Sequence, residues 1–232
     1  LDTPRHADEP TEAYNFRMYD LNADTSYAAL YYPWLVVRDP VVGNSRLAIP
    51  PSGHVAGQYA ATGATRGVHV APANVVVRSV IDLTYRCGDA EQDILNPVGV
   101  NAIRYFPGEG IRIWGARTLY SFHDGRHYVP VRRVLNFVKE SIKRGNRWAV
   151  FQPNDVKLWR QIEAVNREFL HSMWLRGMLY PTNNVSQAFF VKCDEETNPM
   201  SEIKEGRVNA EVGINPLLPA EFCIFRIGVW DG

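Results

Sequence analysis

Nucleophilic catalysis needs a serine or cysteine beside a base, and the nearest pairing along the chain is Ser52 with His54, in "PPSGHV". Ser52 reads better as the N-cap of a helix, and no G-x-S-x-G elbow occurs in the sequence. Cys193 follows the apolar run "FFVK" and has the character of a small hydrophobe at a strand end. A cysteine or serine hydrolase using Cys193 or Ser52 with His54 is the enzymatic alternative that these residue types allow. The six histidines include no HExxH pair, and His123 and His127 bracket Asp124 and Gly125, a composition that favours a turn over metal ligation. "GEGIRIWG", residues 108–115, has the glycines of a phosphate loop without the spacing of either nucleotide fingerprint, and no helical pattern follows it. These residues specify no catalytic centre, no metal site and no cofactor.

The clearest electrostatic feature is a basic run. Residues 126–147 carry seven cations and one anion, among them Arg132, Arg133, Lys139, Lys143, Arg144 and Arg147. Residues 1–24 carry six acids and two arginines, yet the whole chain balances 25 Lys and Arg against 25 Asp and Glu. A neutral chain that separates its charge in this way can pair with copies of itself or with an acidic protein surface, although a basic helix face can also be simply solvated. A monomeric module that binds an acidic protein through this helix is therefore a second alternative. Nucleic acid fits poorly, because phosphate binders raise the net charge of the domain and interleave exposed stacking aromatics, whereas Phe137 and Trp148 are placed for burial.

The elements that must carry these residues follow from the pattern. At 232 residues and 46% hydrophobic the chain can bury a large core, in one domain or two packed closely. Three widely spaced cysteines without a CxxC pair argue against a disulfide framework and fit a reducing compartment. No apolar run approaches the roughly 20 residues of a membrane span, and a chain that starts at Leu1 is expected to be a fragment or a processed product. "YAALYYPWLVV" (27–37) reads as a strand covered on both faces, "NVVVRSVIDLTY" (74–85) as a β-branched strand, and Val100–Tyr120 as two strands around a "PGEG" hairpin loop. Pro130 suits the first turn of a helix over "VRRVLNFVKESIKRGN", with Val131, Val134, Leu135, Val138 and Ile142 on one side. Asn154 or Asp155 can cap a helix over 156–179 that is apolar around most of its circumference. Strands are expected at "AFFVKC", "GRVNAEVGI" and "EFCIFRIGVW", with a turn at "DEETNP". The order implies an α/β, mixed α+β fold, a mixed sheet flanked by helices. The last expected strand, 221–230, has apolar side chains on both faces, as a core strand of its own subunit would.

Taken in order, "YAALYYPW", "PPSGHVAGQYAATGATRGVHVAPAN", "QDILNPVGVNAIRYFPGEGIRIWGARTL", "VRRVLNFVKESI", "VFQPND", "FFVKCDEETNP" and "VGINPLLPAEFCIFRI" resemble contractile phage tail sheath proteins, a family that includes the sheaths of R-type bacteriocins and phage-tail-like contractile injection systems. The resemblance runs over nearly the whole chain. It implies a structural subunit of a homo-oligomeric six-start helical sheath around an inner tube, with baseplate and tail terminator proteins as further partners. By the same resemblance, Glu221, Phe222, Cys223, Ile224, Phe225, Arg226 and Ile227 would be a strand donated or received between subunits, and Arg132, Arg133, Lys139, Lys143, Arg144 and Arg147 would be contacts to the tube or to other subunits. It also implies a place in a phage tail or injection particle assembled in the bacterial cytoplasm, with no enzyme activity, nucleic-acid partner or membrane insertion. Residues 1–116 would be the end of the subtilisin-like core domain, missing an N-terminal arm and first strand, and 117–232 the C-terminal domain with its linking strand. No Ser, His and Asp set stands at the protease motifs, so proteolysis is not implied. Arg112, Trp114, Arg117, Asn154 and Asp194 are expected to fix turns and strand junctions.

Overall fold

A computed structural model of the chain describes residues 9–21, 23–43, 45–122 and 124–223. The polar N-terminal segment is a surface helix, α1 (Glu9–Asn15), continued by a π-helical turn over Phe16–Asp20. The apolar run 27–37 is two strands, not one: β1 (Leu30–Tyr32) and β2 (Leu35–Arg38) join different sheets. Pro33 between them has no N–H to give to a ladder, and Tyr31, Val36 and Val37 are only half-buried. Strand β3 (Arg46–Ile49) leads into helix α2 (Ser52–Thr65). Ser52 is the first helical residue and not the cap; Pro51 holds the cap position, and no side chain caps this helix. The run 74–85 also divides, into β4 (Val75–Val76) and β5 (Asp82–Leu83), with Ser79 at φ +62° between them. A left-handed residue breaks a continuous strand.

Helix α3 (Asp89–Leu95), which the pattern did not reveal, begins where the Gly88 N–H donates to the Glu91 carboxylate at 2.8 Å. The "PGEG" hairpin forms as expected, with β6 (Val100–Phe106) and β7 (Gly110–Ile113) antiparallel from Ile103↔Ile113 to Phe106↔Gly110. β1 lies parallel to β6 and β4 antiparallel to β7, giving a mixed sheet ordered β1-β6-β7-β4. A second, antiparallel sheet is ordered β3-β2-β5. Leu35, Val55, Val77, Leu83, Ile103 and Ile113, from both sheets, α2 and the turn after β4, form one buried cluster.

In the second half, α4 (Val129–Gly145) carries Pro130 in its first turn and buries Val131, Val134 and Val138, the stripe its spacing requires. The Asp155 carboxylate accepts from the Leu158 N–H at 2.9 Å and caps α5 (Val156–Leu175). α5 ends at Leu175 instead of reaching 179, because Gly177 turns the chain at φ +70°. It buries a single face through Leu158, Trp159, Ile162, Leu170 and Met173, so the expected coverage of most of its circumference is not found. Helix α6 (Val185–Ala188), strand β8 (Phe189–Lys192), helix α7 (Met200–Lys204) and strand β9 (Glu211–Ile214) follow. β8 and β9 pair antiparallel as a separate two-stranded sheet, and only 211–214 of the expected strand "GRVNAEVGI" enters it. The second large cluster, including Val134, Leu170, Met173, Leu179, Phe189 and Val191, lies where α4, α5 and β8 meet. The architecture is the expected mixed α+β. Of the expected C-terminal strand, Glu221, Phe222 and Cys223 belong to no strand, while Ile224, Phe225, Arg226 and Ile227 lie outside the described residues.

One buried polar side chain ties the first sheet together. Asn101, 0% exposed, donates from Nδ2 to the carbonyls of Leu30 at 3.0 Å and Arg117 at 2.7 Å, and its Oδ1 accepts from the Arg117 N–H at 2.6 Å. Gly115 is needed beside it, since a Cβ there would stand 2.8 Å from Asn101 Oδ1. Replacing Asn101 by leucine would leave three backbone groups without this partner, each costly to bury alone. The Asn101→Leu variant is expected to lose about 3 kcal/mol or more of unfolding free energy; denaturant unfolding near the wild-type midpoint would contradict this.

Candidate subunit interface

The last described residues are held by a four-bond clamp. The Glu221 carboxylate accepts from Arg117 Nε at 2.8 Å, Arg117 Nη2 at 2.7 Å, Asn96 Nδ2 at 2.8 Å and the Tyr128 hydroxyl at 3.1 Å. Asn96 follows α3, Arg117 follows the β6–β7 hairpin and Tyr128 precedes α4, so one carboxylate collects three separate parts of the chain. The Arg117 and Glu221 side chains are 13% and 17% exposed, and a paired geometry of this kind is stronger than a surface ion pair. Burial pushes the Glu221 carboxyl up, but the bonds from Arg117 and Asn96 and the guanidinium charge outweigh it and hold the group below the ordinary glutamate range. Immediately beyond the clamp, Phe222 and Cys223 are exposed.

The basic helix divides into two sets. Arg132 donates to Ser26 Oγ and lies over the Tyr27 ring, and Arg133 donates to the Tyr59 carbonyl at 2.9 Å, so both engage their own subunit. Lys139, Lys143, Arg144 and Arg147 are exposed, with Arg144 paired to Glu140. Lys139 and Lys143 line a groove of ≈ 810 Å³ together with Arg126, Tyr27, Val212 and Ile214. The Asn215 N–H donates to the Ala188 carbonyl at 2.9 Å, and along that register Val212 and Ile214 turn their backbone groups away from β8. No backbone bond to these groups is made within the described residues. The groove therefore combines positive charge with an open strand edge.

Past α4, a turn carries Phe151 into solvent. The Gln152 N–H donates to the Ala149 carbonyl at 3.2 Å, Val150 sits at φ −65° and ψ 131°, and Phe151 has φ +65°. This is a type II turn with phenylalanine where glycine is relaxed, an arrangement that costs about 1–2 kcal/mol. Phe151 is 102% exposed, so no packing among the described residues offsets that cost. Arg117 was expected at a junction, but no sequence signal marked Phe151 or paired Glu221 with Arg117, Asn96 and Tyr128; these depend on a turn type that the residues themselves disfavour or on contacts distant in the chain.

The hydrolase candidates are not assembled. Ser52 and His54 are two residues apart in the first turn of α2, a spacing whose side chains do not face each other. Cys193 is buried, Asn198 Nδ2 is 3.7 Å from its sulfur, and burial, with Glu163 and Asp194 nearby, pushes its thiol up, away from a reactive thiolate. His123 lies outside the described residues, which hold no cluster of potential metal ligands and no helix long and apolar enough to cross a membrane. The five residues expected at junctions sit in such places. Arg112 donates to Asn74 Oδ1 at 2.9 Å, the Trp114 carbonyl accepts from Gln92, Asn154 bridges the Arg207 carbonyl and the Trp159 indole, and the Asp194 carboxylate closes the turn over Glu196 and Thr197.

The described residues form an α+β body with an internal clamp and an outward-facing groove. Residues 6–119 match the phage tail sheath protein central domain and residues 126–229 the phage tail sheath C-terminal domain. A prophage major tail sheath protein of Pseudomonas aeruginosa (strain UCBPP-PA14) is 26% identical over 238 residues, covering 100% of this chain and 57% of that protein. The sheath complex of the extracellular contractile injection system PVC, in its contracted state, is 33% identical with a TM-score of 0.84, over 98% of this chain and 62% of that one. The helical sheath of the anti-feeding prophage, also contracted, is 30% identical with a TM-score of 0.79, over 97% and 67% respectively. The chain belongs to the phage tail sheath family. It spans little more than half the length of its Pseudomonas relative.

The clamp makes stability depend on acid pH. Because the folded Glu221 carboxyl lies below its unfolded value of about 4.3, its contribution is present above that pH and is lost as pH falls through the folded value. Glu221→Ala is expected to cost about 3 kcal/mol at pH 7, with the difference from wild type shrinking below about pH 4.3. Urea unfolding of both proteins across pH 7 to 3.5 checks this, and a difference that stays constant with pH would contradict it.

Proposed function

We propose that the chain is part of a sheath subunit that polymerises as a six-start helical array around an inner tube and contracts to drive the tube through a target cell envelope. The observation that carries this is the match of both sheath domains in succession over residues 6–119 and 126–229. Fold likeness to contracted sheaths over nearly the whole chain supports it. Residues 1–116 serve as the end of the core domain and 117–232 as the C-terminal domain; the two large buried clusters, drawn from 35–113 and 134–191, favour a division between them. The baseplate and tail terminator cap the array, and the particle assembles in the bacterial cytoplasm without inserting this chain into a membrane or using nucleic acid.

Subunits are linked by strand addition. The open edge of β9 offers a place for a strand from a neighbour, and residues 221–227, of which Glu221, Phe222 and Cys223 belong to no strand within their own subunit, are the segment proposed to pair with a neighbour. Backbone pairing of this kind holds subunits together while their bodies rotate. Contraction draws on a metastable extended lattice whose subunits gain burial or charge complementarity on rearranging, so it needs no nucleotide and no catalytic residue.

Of the six cations expected to contact the tube or adjacent subunits, Lys139, Lys143, Arg144 and Arg147 are exposed and form the offered face, Arg132 lines the same groove while bonded to Ser26, and Arg133 is engaged with Tyr59. Reversing the four exposed charges to glutamate in the full-length protein is expected to leave it folded by circular dichroism but unable to grow ordered sheath on tubes. Normal contractile particles from that variant would remove the assignment. Fluorophosphonate and thiol activity probes are expected to leave Ser52 and Cys193 unlabelled in the folded protein; stoichiometric labelling of either would revive a hydrolase.

A further inference from the structure

Phe151 is the most exposed of the large apolar side chains among the described residues, and it holds the one place in its turn where glycine would be relaxed. Val150 and Trp148 beside it are exposed as well. An aromatic side chain held outward against its own backbone preference points to a contact beyond the described residues.

A receptor of matching chemistry lies elsewhere on the same chain. Between β1 and α2 is a recess of ≈ 440 Å³ whose walls include Leu30, Tyr31, Trp34, Pro51, Val55 and Tyr59. The Tyr31 and Tyr59 hydroxyls hydrogen-bond each other, and their rings meet edge to face at 6.4 Å. With those polar atoms engaged together, the recess presents apolar and aromatic surface, which suits an aromatic occupant with no polar group to satisfy.

The recess and the turn are different surfaces of one chain. Contact between two different surfaces of identical subunits is heterologous, and its repetition generates an open helical array in place of a closed dimer. We infer that Phe151 of one subunit seats in the β1–α2 recess of a second copy of this chain, as one of the contacts along the sheath lattice; this rests on the sheath reading above. A side chain of this kind buries about 150–250 Å², far below the roughly 1,000 Å² of an interface that holds two proteins by itself. The contact therefore closes only where other contacts already keep subunits adjacent, and it does not dimerise the isolated subunit.

The test uses the full-length protein with the exposed Cys223 changed to serine. Gln152→Cys and Ser52→Cys then place thiols beside the turn and in the recess wall, leaving Phe151 and the aromatic lining intact; Ser52 lines the recess and is exposed. A short bis-maleimide added to assembled tubes is expected to produce a ladder of covalent multimers that requires both cysteines. Tubes without a ladder overturn the contact and leave the sheath reading standing. In a second arm, Phe151→Gly relaxes the turn, so the monomer is expected to keep or raise its melting temperature while tube assembly is lost. Tubes like those of the wild type, or a lowered melting temperature that marks Phe151 as internal support, would each overturn the contact. An unmodified protein that forms no tubes removes the sheath reading and this contact with it.

Discussion

The Glu221 carboxylate is the point on which the described structure converges. It joins the end of α3, the segment after the β6–β7 hairpin and the entrance to α4 through Asn96, Arg117 and Tyr128. Those parts belong to the two stretches that match the central and C-terminal sheath domains, so a single side chain near the end of the chain braces both. Because the pair is largely withdrawn from water, its loss would strand a buried guanidinium. The proposed link between subunits would gain from such a fixed origin, since tension on a loosely attached segment peels it away before moving the body behind it.

The remaining features follow from a division between inward and outward duties. Arg132 and Arg133 turn to Ser26 and Tyr59 and hold the second half against the first. Lys139 and Lys143 remain in a groove beside the open edge of β9. Net charge is zero over the chain while its halves differ locally, so electrostatic attraction is short-ranged and specific to particular faces. For a proposed lattice that must slide from one set of contacts to another, modest contacts of this kind are more useful than a single large apolar interface, which would fix one arrangement.

Much of the fold was legible where local pattern and tertiary placement agree. The amphipathic α4, the Asp155 cap of α5 and the β6–β7 hairpin each follow from spacing, a capping carboxylate or paired glycines. Legibility failed where one residue overrides a run: Pro33 divides an apolar stretch between two sheets, and Ser79 at positive φ breaks a β-branched one. Ser52 followed the usual residue preference for a cap, yet Pro51 occupies the position. Among the candidate interface residues, the basic run was visible as charge, but the engagement of Arg132 and Arg133 with Ser26, Tyr27 and Tyr59, far away in the chain, was not. The family resemblance rested on the order of whole motifs, which is information of a different kind from propensity.

The central claim is mechanical: contact rearrangement in a lattice of these subunits supplies the work. Electron cryomicroscopy of sheaths assembled from the full-length protein on their tube, imaged before and after triggering in nucleotide-free buffer, tests it most directly. The account predicts two helical lattices, the second shorter in pitch and wider, with each subunit keeping its internal fold and its Glu221 clamp. A single unchanging lattice, or a transition that occurs only when nucleotide is supplied, would contradict it.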